Sequence, residues 1–228
     1  MTHTLGLLFD IDGTLVETDR LHYDAFLDIL APHGRTLSLS EFEHRIVGQP
    51  NDAIMDHLFP ELDRASQDAL ADRKEHLFRQ SVRKLTPTDG LREVLAWADE
   101  NAVPVGVVTN APRPNGEMML HGLGLSHLVT RLVIGPELAR PKPDPLPYTT
   151  GAALIGVDPA RIVAFEDSTT GVTSAAGAGL WTVGLTRNRS ALLRAAGARH
   201  IATDFNDPAL WSVLRGALAG GPLELAAS

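Results

Sequence analysis

Residues 5–12 read LGLLFDID, an almost wholly apolar run that ends in two aspartates one residue apart. A short continuous apolar run of this kind is the pattern of a buried strand. Residues i and i+2 on a strand point the same way, so the run would bring the carboxylates of Asp10 and Asp12 together at its carboxyl end. Two like charges at that separation repel. A bound cation, a proton held by one carboxylate, or open solvent beyond the strand end must offset the repulsion. Asp-x-Asp-Gly by itself also fits an ordinary turn, so what else the chain brings to this place decides between chemistry and a turn.

From about residue 17 to 86 there is no convincing strand. In LHYDAFLDIL, Leu21, Ala25, Phe26, Ile29 and Leu30 fall along one side of a helix. In SEFEHRIVG, Ser40 reads as a helix cap with Glu43 at the capping-box position. Beyond residue 86 strand and helix patterns alternate. TPTDGLREVLAWADENA, GEMMLHGLGL, PLPYTTGAALIGV and TTGVTSAAGAGL read as helices; VPVGVVTN, RLVIG, RIVAFED and WTVGL read as strands, with HIATDF a further candidate. The last residues, AGGPLELAAS, read as a fraying tail.

Alternating strands and helices imply crossover units and therefore a mostly parallel sheet with helices on both faces. The expected architecture is a doubly wound, Rossmann-like α/β core formed by residues 1–16 and 87–228, with residues 17–86 inserted as a small helical cap. A chain of 228 residues is long enough for both. Sheets of this kind bind ligands at the carboxyl ends of their strands. The polar residues that collect there are Asp10 and Asp12 after the first strand, Thr109 and Asn110 after the second, and Glu166, Asp167 and Ser168 after the fourth.

Composition removes several alternatives. Twenty Lys and Arg against 28 Asp and Glu leave a formal charge of −8 without any strongly basic run, which disfavours nucleic acid as a partner. There are no cysteines, so thiolate metal sites, cysteine nucleophiles and disulfides are ruled out. No apolar run approaches the length of a membrane span and no leader pattern is present, giving a cytoplasmic protein as the default. Nothing in the residues requires an oligomer, and a monomer is compatible with all of them.

The strand-end acids gain meaning beside RPKPDP, residues 140–145. Prolines on both sides of Lys142 restrict its backbone and would aim its ammonium at a fixed point. Glu166 or Asp167 next to Asp10 would make an oxygen-rich site suited to magnesium, which answers the repulsion between the carboxylates. The four segments DIDGT, VVTN, the lysine of RPKPDP and FEDS, in this order, resemble the four motifs of the haloacid dehalogenase superfamily. They span residues 10–168. The helical stretch after the first motif is similar to that family's small cap.

The resemblance implies a role for each residue. Asp10 is expected to attack a phosphoryl group and form an aspartyl-phosphate. Asp12 is expected to protonate the leaving alcohol and then activate water, its carboxyl held away from the metal while its backbone carbonyl binds it. Thr109 and Asn110 would hydrogen-bond the phosphoryl oxygens, and Lys142 would neutralise the nucleophile and the transferring group. Asp167 is expected to bind Mg2+ directly, and Glu166 to bind it through water or to orient the other groups.

Residue differences choose among activities in the family. The dehalogenases lack the second aspartate, which is present here as Asp12. Phosphonate hydrolases carry a cap lysine that forms a Schiff base, and this chain has no lysine between residues 15 and 73. ETDRLHYDAF is similar to the hinge and first cap helix of the β-phosphoglucomutase group, with His22 at the position that supports the acid/base aspartate. The mutases also grip a second phosphate with a lysine and an arginine in the cap. Here RIVGQPNDAI offers Val47 and Asn51 at those places, with Arg45 nearby. The expected reaction is therefore Mg2+-dependent hydrolysis of a small phosphate ester, of sugar-phosphate or phosphoglycolate type, with a sugar-phosphate mutase as the alternative. Arg113 is a further candidate for an anionic substrate group, Gly48 and Pro50 for a cap loop that reaches the substrate.

Overall fold

The structure, a computed structural model, describes residues 5–224; the end of the tail, 225–228, lies outside the described residues. Six strands form one sheet: β1 Gly6–Phe9, β2 Val105–Thr109, β3 Leu132–Ile134, β4 Ile162–Glu166, β5 Trp181–Leu185 and β6 His200–Ala202. All adjacent pairs are parallel, in the order β3-β2-β1-β4-β5-β6. The helices, in chain order, are α1 Asp19–Leu30, α2 Leu39–Glu41, α3 Asn51–Leu58, α4 Arg64–Ser81, α5 Leu91–Glu100, α6 Arg113–Gly122, α7 Leu146–Ile155, α8 Thr169–Gly177, α9 Ser190–Ala196 and α10 Pro208–Leu218.

The uninterrupted apolar strands follow from burial on both faces. Leu7 and Phe9 of β1 join Val94 and Ala98 of α5 and Leu210 and Leu214 of α10 in one core; Leu8 joins Tyr148, Ala152 and Ile155 of α7 in another. Phe9, Phe165 and Phe205 stack within the first, Phe9 and Phe165 with ring centres 4.7 Å apart. The doubly wound expectation holds, and its six strands fall where the sequence pattern puts them. The helix of residues 86–102 is shorter than expected. It begins only at Leu91, because Pro87 bridges to Val16 and Thr88 donates its N–H to Leu15. Those contacts lay the two crossings between the core and the helical insertion side by side. The helices α9 and α10 are absent from the sequence reading above.

Between β1 and β2 the chain is helical, and α1, α3 and α4 with the segment between them bury a separate apolar cluster that includes Phe26, Ile29, Phe42, Ile46 and Ile54. Ser38 caps α2 and accepts from the N–H of Glu41 at 3.1 Å, which corrects the expectation for Ser40. Both serines precede a glutamate by three residues. The earlier one prevails because Leu37 before it and Phe42 after it are both buried in the same cluster, a hydrophobic staple. The turn then widens into a π-helix at Phe42–Ile46. Among the described residues no helix is long and apolar enough to cross a membrane.

Candidate active site

In a sheet of this order the strand sequence reverses between β1 and β4, and ligands gather in the crevice outside the carboxyl ends at such a point. Asp10 follows β1 and donates its N–H to Phe165 of β4 at 3.0 Å; Glu166 and Asp167 close β4 beside it. Lys142 enters from the loop before α7. Its Nζ lies 2.7 Å from Asp10 Oδ1, 2.6 Å from Glu166 Oε1 and 2.7 Å from the carbonyl of Val108. All three hydrogens of the ammonium thus have acceptors, and the side chain is 2% exposed. Tyr148 Oη donates to the same Glu166 oxygen at 2.5 Å.

The electrostatics follow from burial. Burial pushes the Asp10 carboxyl well above its ordinary range, and the charges of Glu166 and Asp12 add to this against the pull of Lys142. Asp167 is raised likewise by burial, then by Asp19 and Asp10, while Arg189, bonded 3.1 Å from Asp167 Oδ2, opposes the rise. Burial alone would lower the Lys142 ammonium; Asp10 and Glu166 outweigh it and hold the pKa above the ordinary lysine value. Asp12 differs from its neighbours. Burial would raise it, yet the hydrogen bond and charge of His22, then Thr18 and Lys74, bring it below the ordinary carboxylate value. His22 Nε2 lies 3.0 Å from Asp12 Oδ1, and Thr18 Oγ1 donates to the same oxygen at 2.5 Å. The His22 ring stacks on Phe78 of α4 with centres 3.8 Å apart. His22 is therefore both a packing residue and a partner of Asp12.

Oxygens of Asp10, Glu166 and Asp167 lie within 4.8 Å of one another. A buried, purely carboxylate donor set fits a hard divalent cation. Among the described residues, Glu166 receives Lys142 and Tyr148 on one oxygen and Ser168 at 3.4 Å on the other, whereas Asp10 and Asp167 each take Lys142 or Arg189 on one oxygen only. The carboxylate of Asp12 stands outside the cluster, turned toward Thr18 and His22, so only its backbone carbonyl remains for a metal. Gly171, in the first turn of α8, is what lets Glu166 lie flat here: a Cβ there would fall on the Glu166 carboxylate.

The insertion sits over this crevice and encloses a cavity of about 80 Å3 with it. Thr109 and Asn110 both line the cavity. Thr109 Oγ1 accepts from the N–H of Ala111 at 2.9 Å and keeps its own hydrogen to donate. Asn110 differs from expectation: its Nδ2 donates to the carbonyls of Gly48 and Lys142 at 3.0 and 3.1 Å, and its Oδ1 accepts from the N–H of Lys142 at 3.1 Å. The carboxamide therefore ties the helical insertion to the loop before α7, with both amide hydrogens directed at carbonyls. Gly48 has φ +77° and packs where a Cβ would collide with Ser168, and Gln49 Nε2 donates to Thr170 Oγ1 at 2.7 Å. The loop of Gly48 and Pro50 does reach the site, as expected.

Two other expectations are corrected. Arg113 is paired with Glu137 at 2.8 and 2.6 Å and with Glu117 at 3.3 Å on the surface, away from the cavity. Arg45 is exposed and does not line the cavity, whereas Val47 and Asn51 do. The cation that the insertion presents is instead Lys74 of α4. Its Nζ lies 2.8 Å from His22 Nδ1 and 3.0 Å from Glu75 Oε1. It falls one residue beyond the lysine-free stretch, so a Schiff-base role is opposed by its engagement and not by its absence. Lys74 also lies 4.5 Å from the centre of the Phe26 ring. The buried tyrosine Tyr148 and the Arg189 contact were equally invisible in sequence. A lysine inside RKEHLFRQ resembles any charge on a solvated helix face, and only its i to i+4 spacing from the buried Phe78 hints that it turns inward.

The sequence profile of the haloacid dehalogenase-like hydrolases matches residues 7–185, from β1 through the end of β5. The chain belongs to that family. It is 30% identical over 185 residues to a validoxylamine A 7'-phosphate phosphatase of Streptomyces hygroscopicus subsp. limoneus, covering 81% of this chain and 86% of that one. It is 25% identical over 193 residues to a β-phosphoglucomutase of Bacillus subtilis, covering 79% and 82%. In three dimensions it resembles a β-phosphoglucomutase from Clostridium difficile with a TM-score of 0.83 at 18% identity, covering 96% and 98% of the two chains.

Proposed function

We propose that this member of the haloacid dehalogenase-like hydrolases is a Mg2+-dependent phosphatase of a small organic phosphate monoester, with residues 1–16 and 87–228 as catalytic core and 17–86 as cap. The observation that carries this reading is the division of labour between two aspartates. Asp10 is bonded to Lys142 within the carboxylate cluster, while Asp12, two residues on, is turned to Thr18 and His22. One carboxylate is thus set to attack and the other to carry a proton.

An oxygen of Asp10 attacks phosphorus, and the bond from phosphorus to the ester oxygen breaks. The leaving oxygen takes a proton from Asp12. Water then attacks phosphorus while Asp12 takes a proton back, and the bond to Asp10 breaks, giving an alcohol and phosphate. His22 and Thr18 hold Asp12 as a carboxylate in the free site, and an arriving phosphate dianion raises its proton affinity for the first step. Lys142 neutralises Asp10 and the phosphoryl charge, and the Thr109 hydroxyl donates to a phosphoryl oxygen. Mg2+, held by Asp10, Asp167 and the Asp12 carbonyl, would supply further neutralisation of the phosphoryl charge.

A phosphatase and a mutase both stand among the relatives, and the choice between them rests on the cavity's own residues. The phosphatase reading gains from Lys74, whose engagement by His22 and Glu75 leaves no unpaired Lys or Arg for a second phosphate among the described residues of the insertion that line the cavity. Phosphate release from a panel of small esters, with and without Mg2+, tests the proposal. Release that requires Mg2+ and disappears in Asp10→Asn supports it. Interconversion of sugar monophosphates with a bisphosphate primer, without net phosphate release, would replace it by the mutase.

A further inference from the structure

Where α4 lines the cavity it carries one ammonium and one carboxylate, Lys74 and Glu75, consecutive and both buried. Their ion pair is 3.0 Å long. The second Glu75 oxygen accepts from Asn115 Nδ2 of α6 at 2.6 Å, and Asn115 Oδ1 in turn accepts from Arg79 at 2.7 Å. The carboxylate is therefore pinned from the core and cannot swing away when a ligand arrives. Its pKa is below the ordinary value although burial opposes this, because Lys74 and His22 favour the charged form.

Counting charge around the cavity makes the consequence plain. Among the described residues two ammoniums line it, Lys74 and Lys142, against the five carboxylates of Asp10, Asp12, Asp19, Glu75 and Asp167, and no arginine lines it. Lys142 is engaged at the nucleophile, and Lys74 at Glu75 and His22. A second anionic group on the substrate would reach the cap side without an unpaired cation to meet it, and beside a fixed carboxylate. In a small cavity between buried side chains that repulsion is screened less than in bulk water.

We infer that Glu75 is a specificity-determining residue, which by pairing Lys74 selects an uncharged, hydroxylated leaving group and rejects esters that carry a carboxylate or a second phosphate. The inference rests on the phosphatase reading. Discrimination by an unfavourable charge is a general device of recognition. The rest of the cap wall suits such a group, since Phe42 and Ile46 of the π-helix offer apolar contact and Asn51 a carboxamide.

Calorimetric titration of the Asp10→Asn protein in Mg2+ with glycerol phosphate and with phosphoglycolate tests this apart from turnover. The two probes are of similar size and differ in the charge of the leaving group. Glycerol phosphate is expected to bind at least roughly tenfold more tightly, the modest end of what a juxtaposed like charge imposes on recognition. Adding Glu75→Gln should abolish or reverse the preference, and adding Lys74→Met to that should restore it, because no unpaired ammonium then remains. Equal affinities in Asp10→Asn, binding of neither probe, or a ratio unmoved by Glu75→Gln would overturn the inference. The comparison in Asp10→Asn alone stands even where the further variants do not fold. Turnover separates the two readings: a binding preference with no phosphate release from either ester by the native protein contradicts the phosphatase and not the selectivity.

Discussion

At the scale of single residues, the account turns on Lys142. It joins Asp10 to Glu166 in a buried triad, and removing its charge leaves two carboxylates facing each other without a cation between them. Lys142→Met is expected to lower stability at neutral pH by about 3–5 kcal/mol. The loss should ease in acid as the stranded carboxylates take up protons, and urea denaturation at two pH values measures both effects. The pH response of the metal-free protein carries a second prediction. Asp10 and Asp167 bind protons more tightly folded than unfolded, their values standing well above the ordinary 3.8. Between the ordinary and raised values the folded state holds more protons, so their contribution to stability falls as pH rises through that window. Mg2+ bound by these carboxylates, as proposed, would replace those protons. The rise in Tm on adding Mg2+ is expected to grow from acid toward neutral pH and to shrink as pH falls through the raised values, which thermal melts at several pH values check.

At the scale of elements, the strands were legible because burial on both faces writes itself as an uninterrupted apolar run, as in LLF, VGVV and IVAF. The carboxyl ends of those runs located Asp10, Thr109 and Glu166 without any knowledge of contacts. Helix ends were less legible. Ser38 and Ser40 offer the same capping spacing, and tertiary burial of Leu37 and Phe42 chooses between them. Side chains that arrive from other elements were not legible at all: Lys74, Tyr148 and Arg189 reach the site through packing that no local pattern encodes. Asn110 was found by motif, yet its carboxamide holds the cap loop. The start of α8 gives this scale its prediction. Gly171→Ala would push a methyl group onto the Glu166 carboxylate and so displace the partner of Lys142 and Tyr148. Phosphate release should drop by at least roughly tenfold and Mg2+ affinity should weaken with it, as expected when a group that positions a reacting centre is displaced; steady-state kinetics against Mg2+ concentration measures both.

At the scale of the whole molecule, two bodies with separate apolar cores meet over one sheet edge. Among the described residues, the hydrogen bonds that seat the insertion include Asn110 to Gly48, Gln49 to Thr170, Asn115 to Glu75 and Arg79, and Thr18 and His22 to Asp12. The cavity beneath is small, about 80 Å3, and substrate entry is expected to require some of these contacts to open. Gln49→Ala removes one of them, about 1 kcal/mol. It is expected to raise KM several-fold with little change in Tm, which steady-state kinetics and a thermal melt together check. All of this serves one chemical claim, that Asp10 carries the phosphoryl group between substrate and water. The most direct measurement is mass analysis of protein quenched in acid during turnover of an ester that the native protein hydrolyses. The account predicts a phosphoryl group on the peptide that contains Asp10, absent from Asp10→Asn. Steady hydrolysis with that peptide unmodified in rapidly quenched samples, or turnover undiminished in Asp10→Asn, would contradict it.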